Sequence, residues 1–229
     1  MSSADLFPDA VDPDELAKRV IPLPGDALPG IDEAASPFLI ALCQRYHVGV
    51  ELGFYHTTNF KIGRSIYLDR NLSPERQNFS FCHELAHLLL EHDNETHPSQ
   101  EEEFLANQLA ARLLLPDATF GLDAKSLPLA ALKEKYPYAS WEAILRRKLQ
   151  FRHGVGTIVD EGKITFRGAS PSIAFPHHPS PNEWGIIRDA FNEACSLFRE
   201  QDGLTMTADY VDTGSGVRRV LLWTEWEEL

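Results

Sequence analysis

The chain has 229 residues, 43% of them apolar and 24% charged. That is the make-up of a globular protein, long enough for one sizeable core or for a catalytic domain plus a small second one. Its 34 Asp and Glu against 21 Lys and Arg leave a formal charge of -13, which disfavours direct nucleic-acid binding and permits a basic protein partner.

The three cysteines, Cys43, Cys82 and Cys195, are odd in number and scattered. They make neither a disulfide framework nor a thiolate metal knuckle. No basic start is followed by an apolar run, and no apolar stretch is long enough to span a membrane, so the expected location is a reducing cytoplasm.

Residues 1–35 are acidic and punctuated by prolines, and read as an N-terminal arm with a possible short helix at 12–19. The first core helix is expected over 36–47, opened by Ser36-Pro37 and carrying Phe38, Leu39, Leu42 and Tyr46 on one face. Strands follow at 48–55 and 63–69, rich in β-branched and aromatic residues. Ser73-Pro74-Glu75 opens a helix running to about residue 91. Ser99 and Glu102 make a capping box for the next, which stops before Pro116. A further helix is expected at about 139–151.

Beyond Phe151 the texture changes. Residues 155–166 read as a hairpin with a glycine turn. A second capping box at Ser180 and Glu183 opens a helix extending to about Glu200, and strands at 205–212 and 217–226 close the chain. The expected fold class is therefore α+β. The expected divisions are an arm at 1–35, a catalytic domain at 36–153 and a small β-β-α-β-β domain at 154–229.

The chemistry is concentrated in Phe81-Cys82-His83-Glu84-Leu85-Ala86-His87. On a helix, His83 and His87 lie about 40° apart in projection and one turn apart along the axis, so both imidazoles reach one ion. Glu84 is wrongly angled to be the obvious ligand but is placed to take a proton from a water on the metal. Cys82 points away from the histidine face and reads as a core thiol. The bland alternative is an amphipathic helix with His and Glu facing water. A third ligand decides between them, and Glu103 offers one: it shares a helix face with Ala106 and Ala110, which suits close packing against the first helix.

On spacing alone Glu103 stands modestly above its neighbours. Glu102 is better explained as a cap and Glu101 as solvent-facing. Asn107, one turn on, could fix the carboxylate. His92, and less so His97, are candidates for steadying the oxyanion. His177 and His178 read as an exposed pair, and Trp223 and Trp226 as core or interface.

These segments resemble the ImmA/IrrE family of metallo-endopeptidases. The family carries a strand resembling Ile66-Tyr67-Leu68, a polar stretch resembling Ser73-Pro74-Glu75-Arg76, and a helix resembling Phe79 through Glu91. Its second signature resembles Glu103 through Pro116, including Ala106-Asn107 and Leu113-Leu114-Leu115. Ala86, Leu109 and Leu115 stand where glycine, phenylalanine and methionine are usual, and none of these departures removes a ligand. The resemblance covers roughly 36–150.

It implies a small thermolysin-like, zincin-like core, one zinc per chain on His83, His87 and Glu103 (with manganese possible in vitro), and Glu84 as base. It further implies a cytoplasmic endopeptidase that cleaves a helix-turn-helix repressor and releases stress or mobile-element genes. The alternatives are a catalytically silent regulator of the same fold and a toxin–antitoxin component. The strand at 63–69 is expected to pair with an extended substrate.

Overall fold

The computed structural model describes residues 30–55, 59–90, 98–171, 173–212 and 216–226. The possible helix at 12–19 lies outside them. The fold is α+β, and its packing divides the chain into two compact units. One runs to Thr119 and takes in Tyr136–Ser140. The other is made of Phe120–Lys135 and Trp141–Leu229. Among the described residues no helix is long and apolar enough to cross a membrane.

The first unit opens with α1 (Pro37–Tyr46), whose N-terminus is capped by Ser36: its hydroxyl oxygen accepts from the Leu39 N–H. The helix stops where His47 turns left-handed, at φ 53°. A three-stranded sheet follows, made of β1 (Gly49–Gly53), β2 (Phe60–Ile62) and β3 (Ser65–Asp69) in the order β1-β3-β2. β3 runs parallel to β1 and antiparallel to β2.

This order overturns the expectation that residues 63–69 bind substrate as an edge strand. β3 is hydrogen-bonded on both sides, so its backbone groups are already engaged. The outer side of β1 is taken by the end of the arm, where Ile31 bridges Val50. Among the described residues the unpaired edge is that of β2, a strand that lies between the two expected ones.

Against β3 lies α2 (Pro74–Leu89), and α3 (Gln100–Leu114) packs on α2. Asn78 on α2 is buried and ties three segments together. Its side-chain oxygen accepts from the Ser36 hydroxyl at 2.9 Å, and its amide donates to the Tyr138 carbonyl at 2.9 Å. Tyr138 also stacks on Phe38 with ring centroids 4.4 Å apart, which accounts for the return of residues 136–140 to this unit.

The second unit is built on a five-stranded antiparallel sheet in the order β5-β4-β8-β7-β6. Its strands are β4 (Val155–Asp160), β5 (Lys163–Ala169), β6 (Leu197–Gln201), β7 (Leu204–Asp212) and β8 (Arg218–Trp226). Strand alternation sends Met206, Ala208, Val220 and Leu222 to one face, where they pack on Ile186, Ile187 and Ala190 of a helix at Pro181–Glu193. The other face meets α4 (Asp117–Ser126), α5 (Leu129–Lys135) and α6 (Trp141–Lys148). The Pro181–Glu193 helix is α7. Gly156 lets α6 come close: a Cβ there would sit 2.9 Å from Leu145.

Two expectations are corrected here. The boundary at 153/154 does not follow the packing, because α4–α6 pack with the strands that come after it and Arg152 is bidentate to Glu225. The final helix stops at Glu193 rather than Glu200. Ala194 turns left-handed at φ 50°, and residues 197–201 become β6, paired with β7 across an Asp202-Gly203 turn. The C-terminal order is thus β-β-α-β-β-β.

Glu183, at the start of α7, locks this unit. Its carboxylate accepts from the Ser180 N–H at 2.7 Å, the Thr224 hydroxyl at 2.9 Å and the Arg167 guanidinium at 3.2 Å, and both charged side chains are 5% exposed. Burial alone would raise the Glu183 carboxyl, but the bonds from Ser180, Arg167 and Thr224 hold it below its ordinary value. A depressed folded pKa means stability that is complete above the unfolded value and lost as pH falls through the folded one. Acidification below about pH 4.5 should therefore destabilise this unit through Glu183. In urea unfolding followed by tryptophan fluorescence, Glu183→Gln should cost about 3 kcal/mol at pH 7 and flatten that acid dependence.

Candidate metal centre

α2 presents His83 and His87 from successive turns, with ring centroids 4.7 Å apart in an edge-to-face arrangement. α3 brings Glu103 to the same place. The close approach follows from side-chain size: Ala86 on α2 and Ala106 and Ala110 on α3 are all fully buried. The start of α3 is fixed by the expected capping box, in which Glu102 N–H donates to the Ser99 hydroxyl and Ser99 N–H to the Glu102 carboxylate. With Glu102 committed to that cap and Glu101 exposed, Glu103 is the carboxylate that meets the histidines.

The distances suit a small ion. Nε2 of His87 lies 3.1 Å from Nε2 of His83. The Glu103 oxygens lie 3.4 Å from His83 Nε2 and 3.5 Å from His87 Nε2. A tetrahedral zinc with ligands at about 2.0–2.1 Å separates them by about 3.3–3.4 Å. Two imidazoles and a carboxylate also form a donor set zinc favours. These three residues could hold a metal ion, and they are the one such cluster found among the described residues. The residues therefore fit the ion.

Electrostatics prepare the groups. Burial lowers the His83 pKa against the opposing pull of Glu103 and of a hydrogen bond with the Asn107 side chain, which favours the neutral imidazole, the form that could ligate a metal. Asn107 also donates to the Glu103 carbonyl at 2.8 Å, so it steadies both helices' contributions. Glu84 is half-buried. Burial pushes its carboxyl up to about 7, Lys61 pulls it down, and Glu103 pushes it further up.

Lys61 is the residue that sequence reasoning missed. It sits on β2 opposite Ile66, and that pairing turns it toward the helix-covered side of the sheet. Cys82 is fully buried, and burial raises its thiol well above the ordinary range, in keeping with a core role. His92 and His97 lie outside the described residues. His177 and His178 are exposed and belong to the second unit.

A helix with two histidines four apart, a glutamate beside the first, and a carboxylate supplied by the next helix is the arrangement of a metal-dependent peptidase. Residues 44–136 match the model of the IrrE N-terminal-like domain, Peptidase_M78, so this part of the chain is similar to that peptidase family. The match takes in β1–β3, α2 and α3, with all four residues of the centre. No curated protein was found to match the chain.

Asn107→Ala should leave the helices folded but weaken binding of added zinc about 10- to 100-fold, read by competition with a chromogenic chelator.

Proposed function

We propose that the chain is a zinc-dependent endopeptidase acting on a small, basic, DNA-binding repressor, whose cleavage releases stress or mobile-element genes. The observation that carries the peptidase reading is the convergence of His83, His87 and Glu103 at zinc-ligand spacing, with Glu84 one residue along the same helix. His83, His87 and Glu103 would hold the ion. Zinc, when bound, supplies Lewis acidity toward a carbonyl and toward water.

Glu84 takes the proton of the attacking water and hands it to the departing amine. Its half-buried carboxyl near neutrality is suited to both halves of that task. Lys61 favours the ionised form that must begin the cycle. The free edge of β2 offers backbone groups to an extended peptide, the pairing first expected of β3. The repressor reading is supported by the likeness of residues 44–136 to the IrrE N-terminal-like domain and by the charge of -13, which steers a basic partner.

Purified protein should carry about one zinc per chain, or accept manganese in vitro, and His83→Ala should lose it in elemental analysis. Glu84→Gln should retain the metal yet lose about 10²- to 10⁴-fold in cleavage of a small basic helix-turn-helix repressor that the wild type cuts, followed by mass spectrometry of the fragments. Equal cleavage by that variant removes Glu84 from the role of base. Binding of the repressor without cleavage by the zinc-loaded wild type favours a silent regulator instead.

A further inference from the structure

The second unit contains a cavity of about 140 Å³ between β7–β8 and the helices α4–α6. That is several times the ~30 Å³ share of one water molecule. Its walls combine apolar surface from Pro128, Leu129 and Trp223 with two cations, Lys148 and Arg152, and two carboxylates, Asp209 and Glu225. None of these residues takes part in the metal centre.

The four charges are not equally engaged. Arg152 grips both Glu225 oxygens, at 2.9 and 2.7 Å, and the Trp223 indole N–H donates to the same carboxylate at 3.0 Å. That pair is complete. Asp209 is different: it is 5% exposed, and its Oδ2 is buried with no hydrogen-bond partner. A buried carboxylate oxygen left in that state costs about 1–3 kcal/mol or more. Lys148 is 2% exposed and uses two donors, on the Ala124 and Leu127 carbonyls at 2.9 and 2.5 Å, and its ammonium lies 5.1 Å from the centre of the Trp223 ring. An ammonium has three donors, so one remains.

The cavity therefore pairs an acceptor that wants a cationic donor with a cation that has a donor left, beside an apolar wall and with no net charge. We infer that this cavity binds a small aliphatic α-amino acid as its zwitterion. The ligand's ammonium bonds Asp209 Oδ2, its carboxylate takes the remaining Lys148 donor, and its side chain lies against Leu129 and Trp223. A ligand with one charge would satisfy one wall and leave the other as it is.

Because Trp223 lines the cavity, tryptophan fluorescence and calorimetry both read occupancy of the full-length protein. L-alanine, L-valine and L-leucine are the probes, with valinamide and N-acetylvaline as versions lacking one charge. At least one amino acid should saturate below about 10 mM, and each single-charge analogue should bind at least about tenfold more weakly. Asp209→Asn should weaken binding by a similar factor. Thr207→Leu, which fills the cavity while leaving Asp209 in place, should abolish it and serves where the Asp209 variant fails to fold. No response to any of the three amino acids, equal binding of valinamide, or unchanged binding by Thr207→Leu would overturn the assignment, the first leaving a hydrated cavity.

Discussion

The contact between α2 and α3 is the constraint on which the candidate metal centre rests. A glutamate side chain is short, and the histidines it must meet are fixed to a different helix. Ala86, Ala106 and Ala110 remove side-chain bulk from the contact and are sealed from solvent, so the helices lie close enough for one carboxylate to approach two imidazoles. A larger residue at any of the three would push the axes apart by more than the tolerance of a metal–ligand bond. The capping box at Ser99 then fixes where α3 begins, and Asn107 bonds both the Glu103 carbonyl and the His83 side chain across the contact.

The second unit is organised by polar groups placed under apolar ones. Glu183 and Arg167 are buried together, and the carboxylate collects donors from α7, β5 and β8. Removing either charge strands the other in a low-dielectric interior, which is the costly case for buried ion pairs. On the opposite face of the sheet, Lys148 caps the end of α4 through two carbonyls. Burial lowers its pKa to about 8, so the ammonium remains charged at neutral pH with little to spare.

Much of the centre was legible because it depends on local chemistry. The i, i+4 histidines, the Ser–Pro helix starts and the two capping boxes are written within a few residues of one another, and each is found in the fold. β2 was not legible, since three residues are too few to show alternation, and the approach of Lys61 to Glu84 went with it. The helix expected to reach Glu200 absorbed β6. Yet Asp202-Gly203 between Leu197–Gln201 and Leu204–Asp212 is a strong hairpin signal that argued for a strand. α4 has no clear apolar stripe in DATFGLDAKS and owes its helix to packing. The meeting of Lys148, Asp209 and Trp223 joins residues tens of positions apart, and no local pattern announces it.

The burial of Cys82 decides how the centre meets electrophiles. A thiol beside a metal-type histidine pair would ordinarily be a rival donor for soft ions and a target for oxidants. Cys82 is sealed in the core and held protonated, and Cys43 is likewise buried with a raised pKa. Cys195 is exposed. Alkylating agents and peroxide will therefore mark the chain at Cys195 in the second unit while the nitrogen and oxygen donors of α2 and α3 go unchallenged by sulfur from their own helix.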